Sequence, residues 1–504
     1  MIKYRLVWLF LLSAIADGLA QDTLSPSWIF SKSGDNGGSA FGWGLSLTEI
    51  GAVFWTPSLR LTNWPKVQVS VHLLDPETGT EIVPPNPIQE NAELQAYSTA
   101  SRGGFGWIAG RSCPGFINSC DQWLAKTNEQ GVPLWSKTYD VAGNYDEIDG
   151  IAIRPGDGIY LGGWGGEAGA GIYDTDFFMR KVDFDGNSLW EKQIGLPNTA
   201  EHQDGHFVVD DEFIFAAGLW GGDGIANLHE GRAFLAKFSK TDGILLDSVH
   251  FGAANFWLNW ENSWGMASDG QALYLTGVST PMAGNNQIFV ARFSKALDLQ
   301  WLIHWGGAGV ETARAIAVSG GHVLVGGTSN SPNLATAGAY DAALLVLNAE
   351  TGALKTEKTW GDGRDNEFRD LAVSNEAVFL SGTSGTNLFN SASPLDMEAF
   401  LMRVEISDLI TSVQQQPSGD FSGGVIFPNP ANGRCTWRFE TVKSGACLLE
   451  IADLQGKVVQ QSQVSVLAGE NTVGLDVRGL PKGLFTVSLY MDGKKIAAPR
   501  MVIY

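Results

Sequence analysis

Four residues of the stretch EHQDGH could bind a metal ion, namely Glu201, His202, Asp204 and His206. Imidazole nitrogens and carboxylate oxygens are common metal ligands, but a metal site needs them at defined spacings. The spacing in this stretch matches none of the usual ligand patterns. We therefore interpret it as a polar loop with two solvated histidines.

Aspartates in VDFDGN (182–187) and DGRDNEFRD (362–370) could supply oxygen ligands to calcium. Both stretches lack the full twelve-residue ligand loop, and we interpret them as turns. The chain has no H-E-x-x-H, G-x-S-x-G or Walker motif and no dinucleotide-binding fingerprint. The sequence therefore predicts no metal, no cofactor and no catalytic residue.

Tryptophans are the better candidates for contact with a ligand. Six of them follow or lie between short β-type runs: Trp164, Trp220, Trp257, Trp260, Trp305 and Trp360. Exposed indole rings stack on sugars or pack against protein partners, whereas buried ones fill a core. Ligand contact requires a fold that gathers these residues at one end.

A sequence repeat provides such a fold. Runs of β-forming residues end in glycine at regular intervals, at Gly110, Gly163, Gly218, Gly277, Gly327 and Gly382. The period is roughly 54 residues, which lies in the range of β-propeller blades. In a propeller, four-stranded sheets bury their faces by stacking around a centre.

The third repeat shows the expected order of strands. IDGIAIRP is the innermost, followed by GIYLGGW, DFFMRKVDF and the outermost strand SLWEKQI. Short turns with glycine, aspartate or asparagine join the first strand to the second and the third to the fourth. The other two connections are long and rich in glycine, so the long loops and their tryptophans share one end.

The last repeat lacks its outer strand, and the N-terminus supplies a candidate. We predict that SWIFSKSG (Ser27–Gly34) pairs in antiparallel fashion with Glu398–Ile406 and removes two exposed sheet edges. Trp28 then occupies the place that other repeats give to Trp135, Trp190 and Trp301. The first repeat must find its outer strand in EIVPPNPIQ. The expectation is an all-β chain with a seven-bladed β-propeller at residues 22–411.

The segment WGGAGVETARAIAVSGGHVLVGGTSNS (Trp305–Ser331) resembles the repeats of bacterial β-propeller proteins of the SBBP-like kind. These motifs are structural, and the family has no shared chemistry. The resemblance therefore implies the fold and no function.

A polar linker at 412–424 precedes a small β-domain at 425–504. FPNP, IADLQGKVV, LAGENT, LPKGLFTV and the terminal MVIY occur there in the order found in type A C-terminal sorting domains of the type IX secretion system of Bacteroidota, which the segment resembles. The matching residues are Pro428, Asn429, Pro430, Asp453, Gly456, Gly469, Asn471, Leu480, Gly483 and Arg500.

That resemblance implies recognition by the type IX machinery at the outer membrane. It also implies removal of the domain when the cargo is released or linked to surface lipopolysaccharide. The fold expected for this domain is a small immunoglobulin-like β-sandwich. The alternative to a sorting signal is an ordinary module of this fold that stays attached to the chain.

The N-terminus and the cysteines also indicate export. Residues 1–20 read as a secretory signal peptide, because Lys3 and Arg5 precede a short apolar run and small residues end at Ala20. A membrane anchor is the alternative, but the run is short for a bilayer span. Four cysteines fall in two couples, Cys113 with Cys120 and Cys435 with Cys447, and two disulfides would suit an oxidising compartment.

The net charge of −21, with no basic run, disfavours a nucleic-acid partner. The sequence therefore predicts a secreted or cell-surface propeller that binds glycan or protein on its long-loop face. The alternatives are a polysaccharide lyase or hydrolase on the same scaffold, or a structural or adhesion protein.

Overall fold

The computed structural model describes most of the chain as β-strand. It covers residues 26–33, 39–49, 51–60, 67–88, 90, 92–114, 120–140, 146–166, 175–195, 200–202, 207–222, 232–251, 256–257, 265–282, 285–332, 334, 339–386, 395–410, 421–441, 443–452, 457–491, 494–497 and 500–503. The predicted signal peptide lies outside these residues. Within them, no helix is long and apolar enough to cross a membrane.

After strand β1 (Trp28–Ser33), the strands up to residue 405 form consecutive antiparallel sets. The first set is Ala40–Phe41 (β2), Leu45–Leu47 (β3), Val53–Trp55 (β4), Ser58–Arg60 (β5), Val67–Leu74 (β6) and Asn86–Ile88 (β7). The second is Glu93–Arg102 (β8), Phe105–Cys113 (β9), Asp121–Asn128 (β10) and Pro133–Tyr139 (β11). The third is Asp146–Arg154 (β12), Gly158–Gly166 (β13), Thr175–Val182 (β14) and Ser188–Ile194 (β15).

The later sets follow the same order. Ala200–His202 (β16) links the third set to the fourth, which is Val208–Val209 (β17), Phe213–Gly222 (β18), Arg232–Ser239 (β19) and Leu245–Phe251 (β20). The fifth is Phe256–Trp257 (β21), Met266–Ser268 (β22), Ala272–Met282 (β23), Asn285–Ser294 (β24) and Leu299–Trp305 (β25). The sixth is Glu311–Ser319 (β26), His322–Ser329 (β27), Asp341–Asn348 (β28) and Leu354–Trp360 (β29). The seventh is Asp365–Val373 (β30), Ala377–Thr386 (β31) and Leu395–Glu405 (β32), followed by the short helix Ile406–Ile410 (α1).

One strand of each set contacts its counterparts in the neighbouring sets, and we call these the cycle strands. They are β3, β8, β12, β17, β22, β26 and β30, and β30 also contacts β3. The contacts therefore run through all the sets and return to the first. Alternating apolar residues of neighbouring sets pack together between the sheets, as the strand period of two requires.

Strand β1 pairs with the seventh set, as the sequence predicted. Its antiparallel register with β32 runs from Trp28 opposite Arg403 to Ser33 opposite Glu398. Ser27 extends the pairing, since its N–H donates to the Arg403 carbonyl at 2.7 Å. In the first set, strand β7 lies within the proline-rich stretch, where the outer strand was expected, and pairs with β6.

Outer strands and hairpins of neighbouring sets meet in a recurring contact. A tryptophan near the start of an outer strand packs against a glycine of positive φ in the hairpin of the next set. The pairs are Trp28 with Gly79, Trp135 with Gly186, Trp190 with Gly243 and Trp301 with Gly352. Strand β1 thus contacts the first set in the same way as β11, β15 and β25 each contact the set that follows them.

The C-terminal strands form a separate sheet. They are Phe421–Asn432 (β33), Arg434–Thr441 (β34), Gly445–Ala452 (β35), Val458–Val466 (β36), Gly469–Asp476 (β37), Gly483–Met491 (β38), Lys494–Ala497 (β39) and Arg500–Ile503 (β40). Strand β33 begins four residues inside the predicted linker 412–424. Pro428 and Pro430 lie within this strand. The pairing with β34 is interrupted between Phe427 and Asn432, and proline cannot donate an N–H to a ladder.

The second candidate disulfide, whose pairing the sequence leaves open, does not form. Cys435 and Cys447 are both buried and form no disulfide with each other. Cys435 lies on β34 and Cys447 on β35, and three strands separate β34 from β35 in the order of the sheet. Bridged cysteines need Cα atoms within about 7 Å, and neighbouring strands alone are already about 5 Å apart.

Candidate functional site

Four cycle strands carry a β-bulge at the same place. The register shifts around Tyr97 in β8, Asp149 in β12, Arg314 in β26 and Arg369 in β30. A bulge sets two residues opposite one and redirects a side chain, and bulges are common beside functional sites. All four side chains are buried. Buried polar side chains need hydrogen-bond or ion-pair partners. Here the partners are other residues of this group and residues of neighbouring strands.

On one side, the partners belong to the sixth, seventh and first sets. Arg314 Nε donates to Glu367 Oε2 at 2.8 Å, and Arg369 forms an ion pair with the same carboxylate. The guanidinium of Arg369 lies 4.0 Å from the ring centre of Trp43, a cation–π contact. Trp43 in turn meets Tyr97 edge to face at 5.6 Å.

On the other side, the contacts continue into the third set. Arg111 Nη1 donates to Glu147 Oε2 at 3.0 Å, and the guanidinium lies 5.6 Å from the ring centre of Tyr97. Asp149, Tyr97 and Trp164 also interact with the Glu147 carboxyl and lower its pKa. We call the connected residues the polar cluster: Trp43, Tyr97, Arg111, Glu147, Asp149, Arg314, Glu367 and Arg369.

Burial shifts the pKa of two groups of this cluster. It raises the pKa of the Glu147 carboxyl, against the opposing effect of Arg111. It lowers the pKa of Arg369 to about 10, although Glu367 favours the charged form. Buried ion pairs add little stability compared with an apolar core, so a network of this size indicates another role.

The chemistry of the cluster is that of a mixed donor and acceptor surface. Three guanidinium groups stand against three carboxyl groups, with an indole and a phenol between them. A ligand with hydroxyl groups can both accept from the guanidinium groups and donate to the carboxylates. Since the charges are matched internally, a strongly charged ligand gains less here.

Trp164 is the predicted tryptophan that the structure brings to this site. It lies in strand β13, directly opposite Glu147 in the register, and its side chain is half-buried. The sequence had placed it in the loop after that strand. The strand position explains its contact, because directly opposed residues on an antiparallel pair have neighbouring side chains.

Trp305 does not belong to an exposed face, and that prediction is wrong. Its side chain is 8% exposed, packs in the core between the fifth and sixth sets, and donates its indole N–H to Glu357 Oε2 at 2.6 Å. Trp360 is half-buried against Phe400, with ring centres 5.0 Å apart. These two residues serve packing between neighbouring sheets.

For the remaining predicted tryptophans, the structure describes the backbone of Trp220 and Trp257 only. Trp220 lies in strand β18 opposite Arg232, and Trp257 lies in strand β21 opposite Val278. Trp220 was expected after a strand and Trp257 in or beside a connection between repeats, whereas the backbone of both is paired within a strand. Trp260 lies outside the described residues.

A disulfide lies beside the polar cluster. It joins Cys113 at the end of β9 to Cys120 just before β10. Arg111 is two residues before the first cysteine and Gln122 two residues after the second, so each shares a strand face with its cysteine. The disulfide therefore holds together the strand ends that carry these two polar side chains.

Sequence reasoning missed the whole polar cluster. A usable signal existed, since polar or aromatic residues interrupt the small and apolar pattern of the cycle strands, as in AYS, IDG, ARA and FRD. A further signal was Arg111 itself, a charged residue directly after Gly110, which ends the second β-type run of its repeat. Both look like ordinary surface positions until the pairing of strands is known.

The stretches with candidate metal ligands contain turns and strands. Asp183 accepts the N–H groups of Asp185 and Asn187 in a hairpin, which accounts for VDFDGN. Glu201 and His202 lie in strand β16, while Asp204 and His206 fall outside the described residues. The described part of the chain contains no group of three or more histidine, cysteine, aspartate or glutamate residues that could hold a metal ion.

The C-terminal candidates have structural roles where they are described. Asn471 Nδ2 donates to the Leu467 and Gly469 carbonyls at 2.7 and 2.9 Å, and Leu480 packs against the core. Gly469 has a φ of 97°. Gly483 pairs with Ile503 and Arg500 with Thr486, while Asp453 and Gly456 lie outside the described residues.

Solved structures similar to this chain include β-propellers. The propeller domain of the Trilobed protease from Pyrococcus furiosus is 13% identical, with a TM-score of 0.42 over 77% of this chain and 99% of that chain. Penicillium chrysogenum alpha-L-arabinanase complexed with arabinobiose is 11% identical, with a TM-score of 0.42 over 75% and 99%. Drosophila Semaphorin 2a is 8% identical, with a TM-score of 0.47 over 97% and 99%. No curated protein matches the chain.

The C-terminal segment matches a known family. Residues 425–503 match the secretion system C-terminal sorting domain. The chain therefore ends in a type IX sorting domain, which implies interaction with that secretion machinery. Residues 425–503 mark the protein as secreted or exposed at the cell surface.

Proposed function

We propose that residues 22–411 form a seven-bladed β-propeller of the SBBP-like kind, closed by strand β1. The contacts of the cycle strands support this, since they pass through the seven sets and return from β30 to β3. The pairing of β1 with β32 supplies the outer strand of the last blade. An N-terminal signal peptide, an origin in Bacteroidota and an immunoglobulin-like C-terminal sandwich belong to the same proposal.

The function that we propose is binding of a glycan or a protein at the long-loop end of this propeller. The polar cluster is the observation that carries it. Its members come from five sets and converge through the bulged positions of the cycle strands. Buried polar and aromatic groups gathered at the centre of a fold are typical of ligand sites.

The position of the cluster within the strands supports the long-loop end. Glu147 is the second residue of β12, and Arg111 is the third from last of β9. Both strand ends lie away from the tight hairpins, such as the one at Asp183–Asn187. Arg111 of the cluster and the adjacent Trp164 are only half-buried and are therefore more accessible to a ligand.

The test is a binding screen of the secreted full chain against a glycan array and against proteins of the outer cell surface. We expect specific binding that falls at least tenfold in Trp164→Ala and in Arg111→Ala. Asp185→Ala, in a hairpin at the opposite end, is the control and should bind like the unmodified chain.

Binding that is equal in all these variants would place the ligand elsewhere and contradict the proposed site. Absence of any glycan or protein ligand would contradict a binding function. The melting temperatures of the variants separate a lost contact from a lost fold.

A polysaccharide lyase or hydrolase is the second candidate. The observation that favours it is Glu147, a buried carboxyl of raised pKa that could act as a general acid. Against it, Asp149 acts directly on the Glu147 carboxyl, whereas the two carboxyl groups of glycosidases stand about 5 Å or more apart. Release of reducing ends from a polysaccharide, lost in Glu147→Gln, would support the enzyme.

A further inference from the structure

Gln122 departs from the pattern of the repeat. It lies on β10 opposite Arg111, the residue that follows the closing glycine of the second strand. The same register position in the later sets is always apolar. Its occupants are Phe177, Ala233, Ile288, Ala342 and Ala399. The packing of a set therefore does not need a polar side chain at this place.

The amide of Gln122 is buried and has no partner. The residue is 0% exposed, and among the described residues neither its Oε1 nor its Nε2 makes a hydrogen bond. Burying an amide without hydrogen-bond partners has a cost in stability. Because a leucine or alanine would avoid that cost, the amide points to a partner that occupies the site at times.

The surroundings of Gln122 are those of the polar cluster. Directly opposed residues make one row across the second sheet, formed by Gln95, Arg111, Gln122 and Tyr139. Within this row, Arg111 Nη2 donates to Gln95 Oε1 at 2.7 Å. Arg111 also binds Glu147 of the third sheet, so the row faces that sheet.

A second unpartnered group lies in the same cluster. The indole Nε1 of Trp43 is buried and makes no hydrogen bond within the described part of the chain. Its ring contacts Tyr97, whose own neighbour is Arg111. The cluster therefore offers an indole N–H, an amide N–H and an amide oxygen that await an acceptor or a donor.

We infer that Gln95, Arg111 and Gln122 of the second sheet, with Glu147 and Trp164 of the third, bind a ring of a neutral saccharide. This inference rests on the proposed binding function and names its ligand class. Sugar hydroxyls donate and accept at once, which suits an amide between a guanidinium and a carboxylate. The indole of Trp164 is suited to stack on the ring.

The charges of the site favour a neutral ligand over an ionic one. Arg111 is engaged by Glu147 and by Gln95, so its positive charge is balanced before a ligand arrives. Binding a uronate would set an extra negative charge beside Glu147. An amine would meet Arg111, with the corresponding repulsion.

The test uses Gln122→Met, which keeps the shape and removes the amide. The probes are immobilised neutral oligosaccharides derived from cellulose, xylan and mannan, with polygalacturonate and alginate as acidic counterparts. We expect the full chain to bind a neutral oligosaccharide and Gln122→Met to bind it at least tenfold more weakly. The melting temperature of the variant should stay equal or rise, because an unpaired buried amide is lost.

Gln287→Met is the matched control. Gln287 is a buried glutamine on β24 of the fifth set, and its replacement should leave saccharide binding unchanged. Equal binding by Gln122→Met and the unmodified chain would overturn the inference and leave the proposed function standing. Preference for the acidic polymers would also overturn it. If the chain bound only protein ligands, the inference would fail; if it bound no ligand, both proposals would fail.

Discussion

The indole of Trp28, whose strand pairs with the seventh set, lies directly over Gly79 in a hairpin of the first set. We call this junction between the last and the first set the seam. A methyl group added to Gly79 would stand 2.6 Å from the Trp28 ring. The indole N–H donates to the Pro76 carbonyl at 3.0 Å, so the hairpin holds the ring at its edge as well. The seam is thus fastened in the same way as the junctions at Trp135, Trp190 and Trp301.

We predict that Gly79→Ala destabilises the protein more than Gly156→Ala. Both glycines have positive φ, at 67° and 71°, so both variants carry the same backbone strain. Only Gly79 has a ring above it, while nothing lies within 4 Å of the added atom at Gly156. Overpacking of this kind costs about 1–3 kcal/mol. Urea unfolding of both variants measures the difference, and equal stabilities would show that the Trp28 contact is dispensable.

Removal of residues 22–34 should open the seam. Strand β32 would lose its partner β1 and expose an unpaired edge, which is a template for association with other chains. We expect the truncated chain to aggregate or to lose cooperative unfolding, as followed by light scattering and thermal melts. Removal of residues 421–504 is the control, and this truncated chain should still unfold cooperatively without aggregating. A truncated chain that stays monomeric and unfolds cooperatively would contradict the closing role of β1.

Much of this arrangement could be predicted from the sequence, because a repeat reports the same structure several times. The place of strand β1 followed from a missing outer strand, and Trp28 matched the tryptophans of other repeats. The polar cluster could not be predicted, because it depends on which residues of separate strands stand opposite each other. Gln122 looks like a surface glutamine in DQWLAK, and only the register with Arg111 and the packed third set make it a buried one.

The same limit explains the error at Trp305. The residue precedes a glycine-rich segment, which suggested an exposed loop position. It is the last residue of β25, and the neighbouring sixth set covers it. Glu357, its hydrogen-bond partner, is 52 residues away in the sequence and belongs to the next repeat.

The pH dependence of stability should contain a contribution from Asp370. Its carboxyl accepts the N–H of Leu45 in the first set at 2.7 Å and that of Leu371 at 2.8 Å. Burial raises its pKa to about 7, from 3.8 in an exposed carboxyl. Between these values the folded chain holds a proton that the unfolded chain releases. This stabilisation is full below pH 3.8 and is lost as the pH rises through about 7.

Asp370→Asn removes the titrating group and keeps an oxygen that can accept the Leu45 N–H. We therefore expect the variant to gain stability relative to the unmodified chain as the pH rises from about 4 to 7, by roughly 2–4 kcal/mol. Urea unfolding at a series of pH values measures the difference between the two curves. Parallel curves would mean that Asp370 is ionised in the folded protein throughout this range.

Two thiols should react in the unfolded protein without reductant. Cys113 and Cys120 form a disulfide, while Cys435 and Cys447 are not joined to each other. Maleimide labelling in denaturant should add two groups per chain, and four after reduction. In the folded protein the labelling should be slow, because burial raises the pKa of Cys435 to about 11 and leaves little thiolate. Labelling of no cysteine before reduction would restore the second disulfide.

Substitution of Trp305 should mainly lower stability, whereas substitution of Trp164 should mainly weaken saccharide binding. Trp305 is buried and hydrogen-bonded to Glu357, so Trp305→Ala should lower the free energy of unfolding by about 3–5 kcal/mol. Trp164 is half-buried beside Glu147, so Trp164→Ala should cost less stability and weaken saccharide binding at least tenfold. Trp305→Phe keeps most of the apolar contact and should bind saccharide normally at a temperature where it remains folded. Urea unfolding and oligosaccharide titration of the same samples measure stability and binding for each variant.

A stable Trp305→Ala chain that has lost binding would assign Trp305 to the ligand site and reverse the roles of the two residues.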